Sequence, residues 1–236
     1  SDLLTMKNKL EEIGRDSLYW VLAILPAIVT LLVLPAMPDV IPAHFGAFGQ
    51  IDRYGSKYEL FILPIMTLVF ALFMKWFSKS QINTNTRNLR EEKNPNEKAV
   101  NATGYSLVAV LNVMTYIFLY TSYHSVKNLN SFGYNRIIAV VLCLMYIVIG
   151  NYLPKCKRNA LVGIRVSWTL DNDEVWFRTH RFGGKVFMIG GLISAICCIF
   201  VPEAFALAFT VATVLILTVI VCVYAHNIFY KLKNEK

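Results

Sequence analysis

Six apolar runs dominate this sequence: Ser17–Met37, Glu59–Phe77, Ala102–Tyr123, Arg136–Leu153, Lys185–Val201 and Ala204–Tyr224. An α-helix needs about 20 apolar residues to cross a hydrocarbon layer about 30 Å thick. Each run has roughly that length, and charges are nearly absent inside it. Lipid offers backbone amides no water, so such a run crosses as a helix that satisfies its own hydrogen bonds. The chain has 236 residues, of which 56% are hydrophobic, and its mean hydropathy is +0.50. A water-soluble domain of this size must cover more of its surface with polar groups. The predicted fold class is therefore all-α: a polytopic membrane protein with six transmembrane helices and no large soluble domain.

Loop charge predicts the orientation. Of the 23 Lys and Arg residues, all but Arg53, Lys57, Lys127 and Arg136 fall on one side. That side comprises both termini and the loops after the second and fourth runs. Lys and Arg resist translocation, so the basic side is predicted to be cytoplasmic, with both termini inside a cell membrane. The net charge of +8 then belongs to loops beside an anionic leaflet, and no direct nucleic-acid binding is expected. Residues 1–16 form a cytoplasmic N-terminal segment. Residues 17–77 hold the first two spans and an outer-loop module at 38–57. Residues 78–101 form a basic cytoplasmic loop. Residues 102–226 hold the last four spans with a cytoplasmic loop at 154–185, and 227–236 form a cytoplasmic tail. The polar start and the full-length first run predict a retained span rather than a cleaved signal peptide.

The spans carry few polar features. Cys143, Cys197, Cys198 and Cys222 lie inside apolar runs and Cys156 in a loop, with no C-x-x-C. They read as small packing residues, not a disulfide framework. Pro26, Pro35 and Pro64 predict helix interruptions. Gly190, Ser194 and Cys198, with Gly191 and Ala195, form small-residue stripes that predict close helix approach. Asn112, Thr115 and Tyr116 predict hydrogen bonds between helices. No span has a central acidic or basic residue, which disfavours ion-coupled transport.

Two loops hold the candidate functional residues. The outer loop is broken by Pro and Gly yet apolar, which predicts a compact cap rather than a linker. Its exposed candidates are Pro42, His44, Phe45, Phe48, Asp52 and Tyr54. His44 lacks a His, Cys or carboxylate cluster, so no metal is expected. In the inner loop, Asp171 reads as an N-cap with Glu174 as capping-box partner. The helix would end at Gly183-Gly184, with Trp176 in the bilayer boundary and Arg178 and Arg181 at lipid phosphates. The alternative is a docking site for a cytoplasmic protein. Its candidates are Arg165, Trp168, Thr169, Glu174, Trp176, Arg178, His180 and Arg181. No nucleophile, phosphate loop, metal set or dinucleotide glycine pattern is present, so no catalytic residue and no cofactor is expected. His180 with Asp173 and Glu174 is the one acid–base cluster on which a membrane enzyme acting on lipid or peptide could rest. A small-molecule or peptide transporter or exporter stays open beside it.

The run Gly163-Ile164-Arg165-Val166-Ser167-Trp168-Thr169-Leu170, with Glu174-Val175-Trp176 and Thr179-His180-Arg181-Phe182-Gly183-Gly184-Lys185, resembles the signature of the sporulation-delaying-protein immunity family. The family pattern often has Thr-Pro where this chain has Val166-Ser167. The loop 38–57 resembles a short module, of uncharacterised function, that often precedes that signature. The resemblance implies a bacterial membrane protein that protects its cell from a secreted, membrane-active peptide toxin. It further implies binding of a cognate transcriptional repressor at the membrane. The outer face would meet the toxin and the inner basic face the repressor.

Overall fold

The computed structural model describes residues 2–46, 49–85, 95–125, 133–159 and 162–235. Its helices are α1 (Asp2–Val33), α2 (Ile62–Asn85), α3 (Pro95–Tyr123), α4 (Tyr134–Tyr152), α5 (Ser167–Asp171), α6 (Asp173–Phe200) and α7 (Ala206–Asn234). All except the short α5 are long and apolar enough to cross a membrane, which makes six. This is a multi-pass membrane protein. Large apolar side chains such as Leu32, Leu72, Ile199 and Val219 stand exposed along the helices, as a lipid-facing surface requires.

The spans pack as two three-helix halves. Helices α1, α2 and α3 contact one another, as do α4, α6 and α7, and α3 packs on α4 to join them. Each half runs in the same order: a span, a Leu-Pro 3-10 turn, a long structured loop, then two more spans. The turns are Leu34–Ala36 and Leu153–Lys155, each closed by an amide returning 3.1 Å to the leucine carbonyl. An odd number of spans per half means that the halves cross in opposite directions, the arrangement of an inverted repeat. The two long loops consequently lie at opposite ends of the bundle.

The outer loop is a β-hairpin. Strands β1 (Val40–Phe45) and β2 (Ile51–Ser56) pair antiparallel, with His44 opposite Arg53 and Phe45 opposite Ile51. The expected cap is present, but as a small sheet in an otherwise helical protein. Gly49 supplies the turn with φ +76°, a conformation glycine adopts without steric cost. Ile41 is fully buried with Leu60, Met37 and Leu119, so the hairpin is anchored on the ends of α1 and α3.

Interruptions and small residues mostly act in packing. Pro26 lies within α1. Pro35 ends that span in the 3-10 turn, and Pro64 sits in the first turn of α2, where no intrahelical amide is lost. A Cβ on Gly191 would stand 3.0 Å from the Cys143 carbonyl of α4, and one on Gly190 would stand 2.6 Å from Leu217 of α7. These stripes are where α6 meets both neighbours. Tyr116 donates to Asn112 at 3.1 Å within α3, while Asn112 itself donates to the Leu22 carbonyl at 2.9 Å, a bond between α3 and α1. Thr115 instead bonds within its own helix.

Candidate functional site

The loop between α4 and α6 is wired to the bundle through backbone groups. Arg158 donates to the Leu170 carbonyl at 2.6 Å and pairs with Asp173 at 3.0 Å. Asn159 brackets the loop, with its amide on the Lys157 and Val162 carbonyls and its oxygen on the Val162 N–H. Thr169 donates to the Ile164 carbonyl at 2.8 Å and accepts from the Val166 N–H at 3.2 Å. Trp176 donates from its indole to the Cys156 carbonyl at 2.9 Å. The ring of His180 stacks on Trp176 with centroids 4.0 Å apart. Its Nε2 accepts from the Ile164 N–H at 3.0 Å, and its Nδ1 lies 2.8 Å from the Trp176 carbonyl. A ring that accepts at one nitrogen and faces a carbonyl with the other is neutral, with its proton on Nδ1.

This geometry corrects the predicted helix. The N-cap is Asn172, whose side-chain oxygen accepts from Glu174 and Val175, not Asp171. The helix does not stop at Gly183-Gly184 but continues unbroken into the span. Those glycines are contact points. A Cβ on Gly184 would lie 2.6 Å from Pro154 and 2.8 Å from the Gly150 carbonyl. An interfacial helix with Trp176 in the bilayer boundary is excluded, because Trp176 is 3% exposed and His180 1%.

The eight inner-loop candidates therefore divide. Thr169, Trp176 and His180 are buried scaffolding. Arg165, Glu174 and Arg181 are exposed, while Trp168 and Arg178 are half-buried. Trp168 sets its ring edge-on to His226 at 5.0 Å, and Arg178 pairs with Glu174. Arg158, Asn159 and Cys156 are not among the candidates the sequence marks. An arginine or asparagine that ties up loop carbonyls has no periodic signal. Burial raises the Cys156 thiol to about 11.

At this end the loop fills the seam between the halves. Val162 packs against Met74, Phe77 and Val100 on one side and Cys156 and Trp176 on the other. The Lys157 N–H donates to Asn96 of α3 at 2.8 Å.

At the hairpin end the seam is open. A cavity of about 350 Å³ lies under β1, between α2 and α3 of one half and α4 and α7 of the other. Ile62, Met114, Ile117, Phe118, Ile138 and Leu207 make much of its wall, and Phe45, His44, Glu59 and Thr121 also line it. Polar and charged pairs edge the hairpin above it. His44 lies 2.7 Å from Asp52, Arg53 holds both oxygens of Glu59 at 3.2 and 2.7 Å, and Lys57 pairs with Asp39 at 2.8 Å. The hydrogen bond from Lys57 holds the Asp39 carboxyl below its usual range, and the bond to Glu59 holds Arg53 above its own. Of the outer candidates, His44, Asp52 and Tyr54 are exposed, Phe45 is half-buried in the cavity wall and Pro42 is buried. Phe48 lies outside the described residues. Glu59 and the α3 residues were not predicted, because an acid at the head of an apolar run looks like an ordinary boundary.

Comparison with known proteins bears on the loop directly. Residues 155–226, which hold the wired loop and the last two spans, match the model of the SdpI/YfhL protein family. The signature resemblance holds. A second model, a domain of unknown function termed DUF1648, matches residues 21–68, which hold the end of α1, the hairpin and the start of α2. Likeness to one relative extends over nearly the whole chain. Immunity protein SdpI of Bacillus subtilis is 22% identical over 222 residues, 92% of this chain and 96% of that protein. An uncharacterized protein of Archaeoglobus fulgidus is 53% identical over 34 residues, 14% of this chain and 19% of its own length. No solved structure matches significantly.

Proposed function

We propose that this chain is a non-catalytic membrane immunity protein that protects its cell from a secreted, membrane-active peptide toxin. The likeness to Immunity protein SdpI over 92% of the chain is the observation that carries the reading. The apolar cavity beneath the hairpin supports it, because a concave, mostly apolar recess with a few polar groups at its rim is the form of a ligand site. In this reading the hairpin end faces outward and the basic loops and both termini face the cytoplasm. Tyr54, His44 and Asp52 meet the toxin first, and Ile117 and Phe118 receive its apolar side chains. On the opposite end Arg165, with Trp168 beside it, offers a docking face for a cytoplasmic repressor. Toxin and repressor would be coupled only if both favour one arrangement of the two halves.

The test is survival of a toxin-sensitive host that expresses this chain. The parent protects, and Ile117→Trp, which fills the cavity, lowers protection at equal membrane abundance. No protection against any related toxin would remove the reading. The open recess at one end of the seam also suits an exporter. Movement of the peptide by reconstituted vesicles, with no protection by binding alone, would favour that.

A further inference from the structure

A second recess lies at the loop end of the bundle, between α6 and α7, away from the seam. It encloses about 440 Å³, and its apolar base is Phe182 stacked on Tyr224 with ring centroids 4.1 Å apart. Arg178, Arg181 and Lys185 line it from successive turns of α6, and Phe177 stands at its edge. Arg178 is matched by Glu174, which also lines the recess, and Glu235 lies near enough to act on it. Arg181 and Lys185 have no acidic partner among the described residues, so the recess carries a surplus of positive charge. Further along the same face of α6, Met188, Ile189, Leu192 and Ile196 are exposed at 39, 60, 55 and 51%. A helix repeats every 3.6 residues, so these side chains continue the line of Arg181 and Lys185.

We infer that this recess binds one anionic phospholipid of the adjoining leaflet. The headgroup phosphate lies between Arg181 and Lys185, and the acyl chains follow the exposed stripe of α6. Three features select that occupant. Unmatched cations call for an anion, and guanidinium presents a planar fork that fits two phosphate oxygens. Basic recesses between membrane helices at the cationic end suit acidic headgroups. The apolar stripe immediately beyond the charges gives a lipid tail a place that a soluble phosphate would leave empty. A choline headgroup would meet the two unmatched cations with a further positive charge. The inference goes beyond the immunity reading and does not depend on it. It also separates Arg181 from the face around Arg165.

Native mass spectrometry of the full chain in detergent tests this, titrating dioleoyl-phosphatidylglycerol against dioleoyl-phosphatidylcholine. The parent retains the glycerol lipid preferentially. The double variant R181Q/K185Q loses that preference by about tenfold or more, given two cations near the headgroup. K231Q/K233Q, which removes charge outside the recess, keeps it, and so does the charge-conserving R181K/K185R. Equal retention of both lipids by the parent, or an unchanged preference in R181Q/K185Q, would overturn the inference. So would displacement of the lipid by millimolar inorganic phosphate, since the tail would then contribute nothing. Thermal unfolding in the same detergent confirms that each variant is folded.

Discussion

Gly163 lies against the imidazole of His180 so closely that a Cβ on it would stand 2.3 Å from Nε2, with its own φ at +120°. The same approach lets the next amide, Ile164 N–H, donate to that nitrogen. One residue thus carries two requirements, a left-handed backbone and an absent side chain. Gly163→Ala is expected to lower stability by about 1–3 kcal/mol from backbone strain alone, before the clash is counted. Gly14→Ala is the control, since nothing lies within 4 Å of its added carbon. Melting in detergent should fall for Gly163→Ala and stay level or rise slightly for Gly14→Ala. Equal behaviour would show that the His180 contact does not hold the loop.

The loop's dependence on His180 can be separated from burial. His180→Phe keeps an aromatic ring on Trp176 but removes the acceptor of the Ile164 N–H. The Ile164 donor is half-buried, so orphaning it costs about 1 kcal/mol, the low end for a buried group. Phe177→Ala, on the exposed face of the same helix, should cost much less. Limited proteolysis near Ile164 reads the local effect, with faster cleavage expected for His180→Phe. Unchanged cleavage would mean that the stack alone is sufficient.

Much of this was legible beforehand. The six spans follow from the lengths of the apolar runs, and the small stripes around Gly190 and Gly191 mark real helix contacts. The Gly163–Lys185 signature also pointed to the segment that organises the basic end. What failed had physical causes. Gly183-Gly184 reads equally as a helix stop or a close contact, and only the approach of Pro154 and Gly150 decides it. The sequence places Trp176 in the bilayer boundary, whereas its indole meets the loop itself at the Cys156 carbonyl. The hairpin was hidden because its strands do not alternate: irregularities at Pro42/His44 and His44/Phe45 shift the register, and burial along β1 and β2 follows no period of two.

Cys156 offers a chemical check on how tightly that loop is packed. Burial raises its thiol to about 11, and the Sγ donates weakly to the Tyr152 carbonyl at 3.4 Å. Thiolate is the reactive form, so at pH 8 almost none is present. Maleimide at pH 8 should leave Cys156 unmodified in folded protein and label it after denaturation, as read by peptide mass spectrometry. Rapid labelling in the folded state would show that the loop opens. In Gly163→Ala the labelling should speed up, linking the two observations.

Orientation decides which end can meet a secreted peptide, and the hairpin makes it testable. Tyr54 is 61% exposed on β2, and Glu235 is exposed just past the end of α7. With Cys143, Cys156 and Cys198 buried and Cys197 and Cys222 half-buried, background reaction with a bulky, charged maleimide should be low. In intact cells Tyr54→Cys should label and Glu235→Cys should not. Permeabilisation should expose Glu235→Cys. The expectation rests on the resistance of Lys and Arg to translocation, which places the basic loops inside. The reverse pattern would put the hairpin recess in the cytoplasm, out of reach of a secreted toxin. The immunity reading would then need its binding site at the opposite end, where Val162 and Trp176 fill the seam.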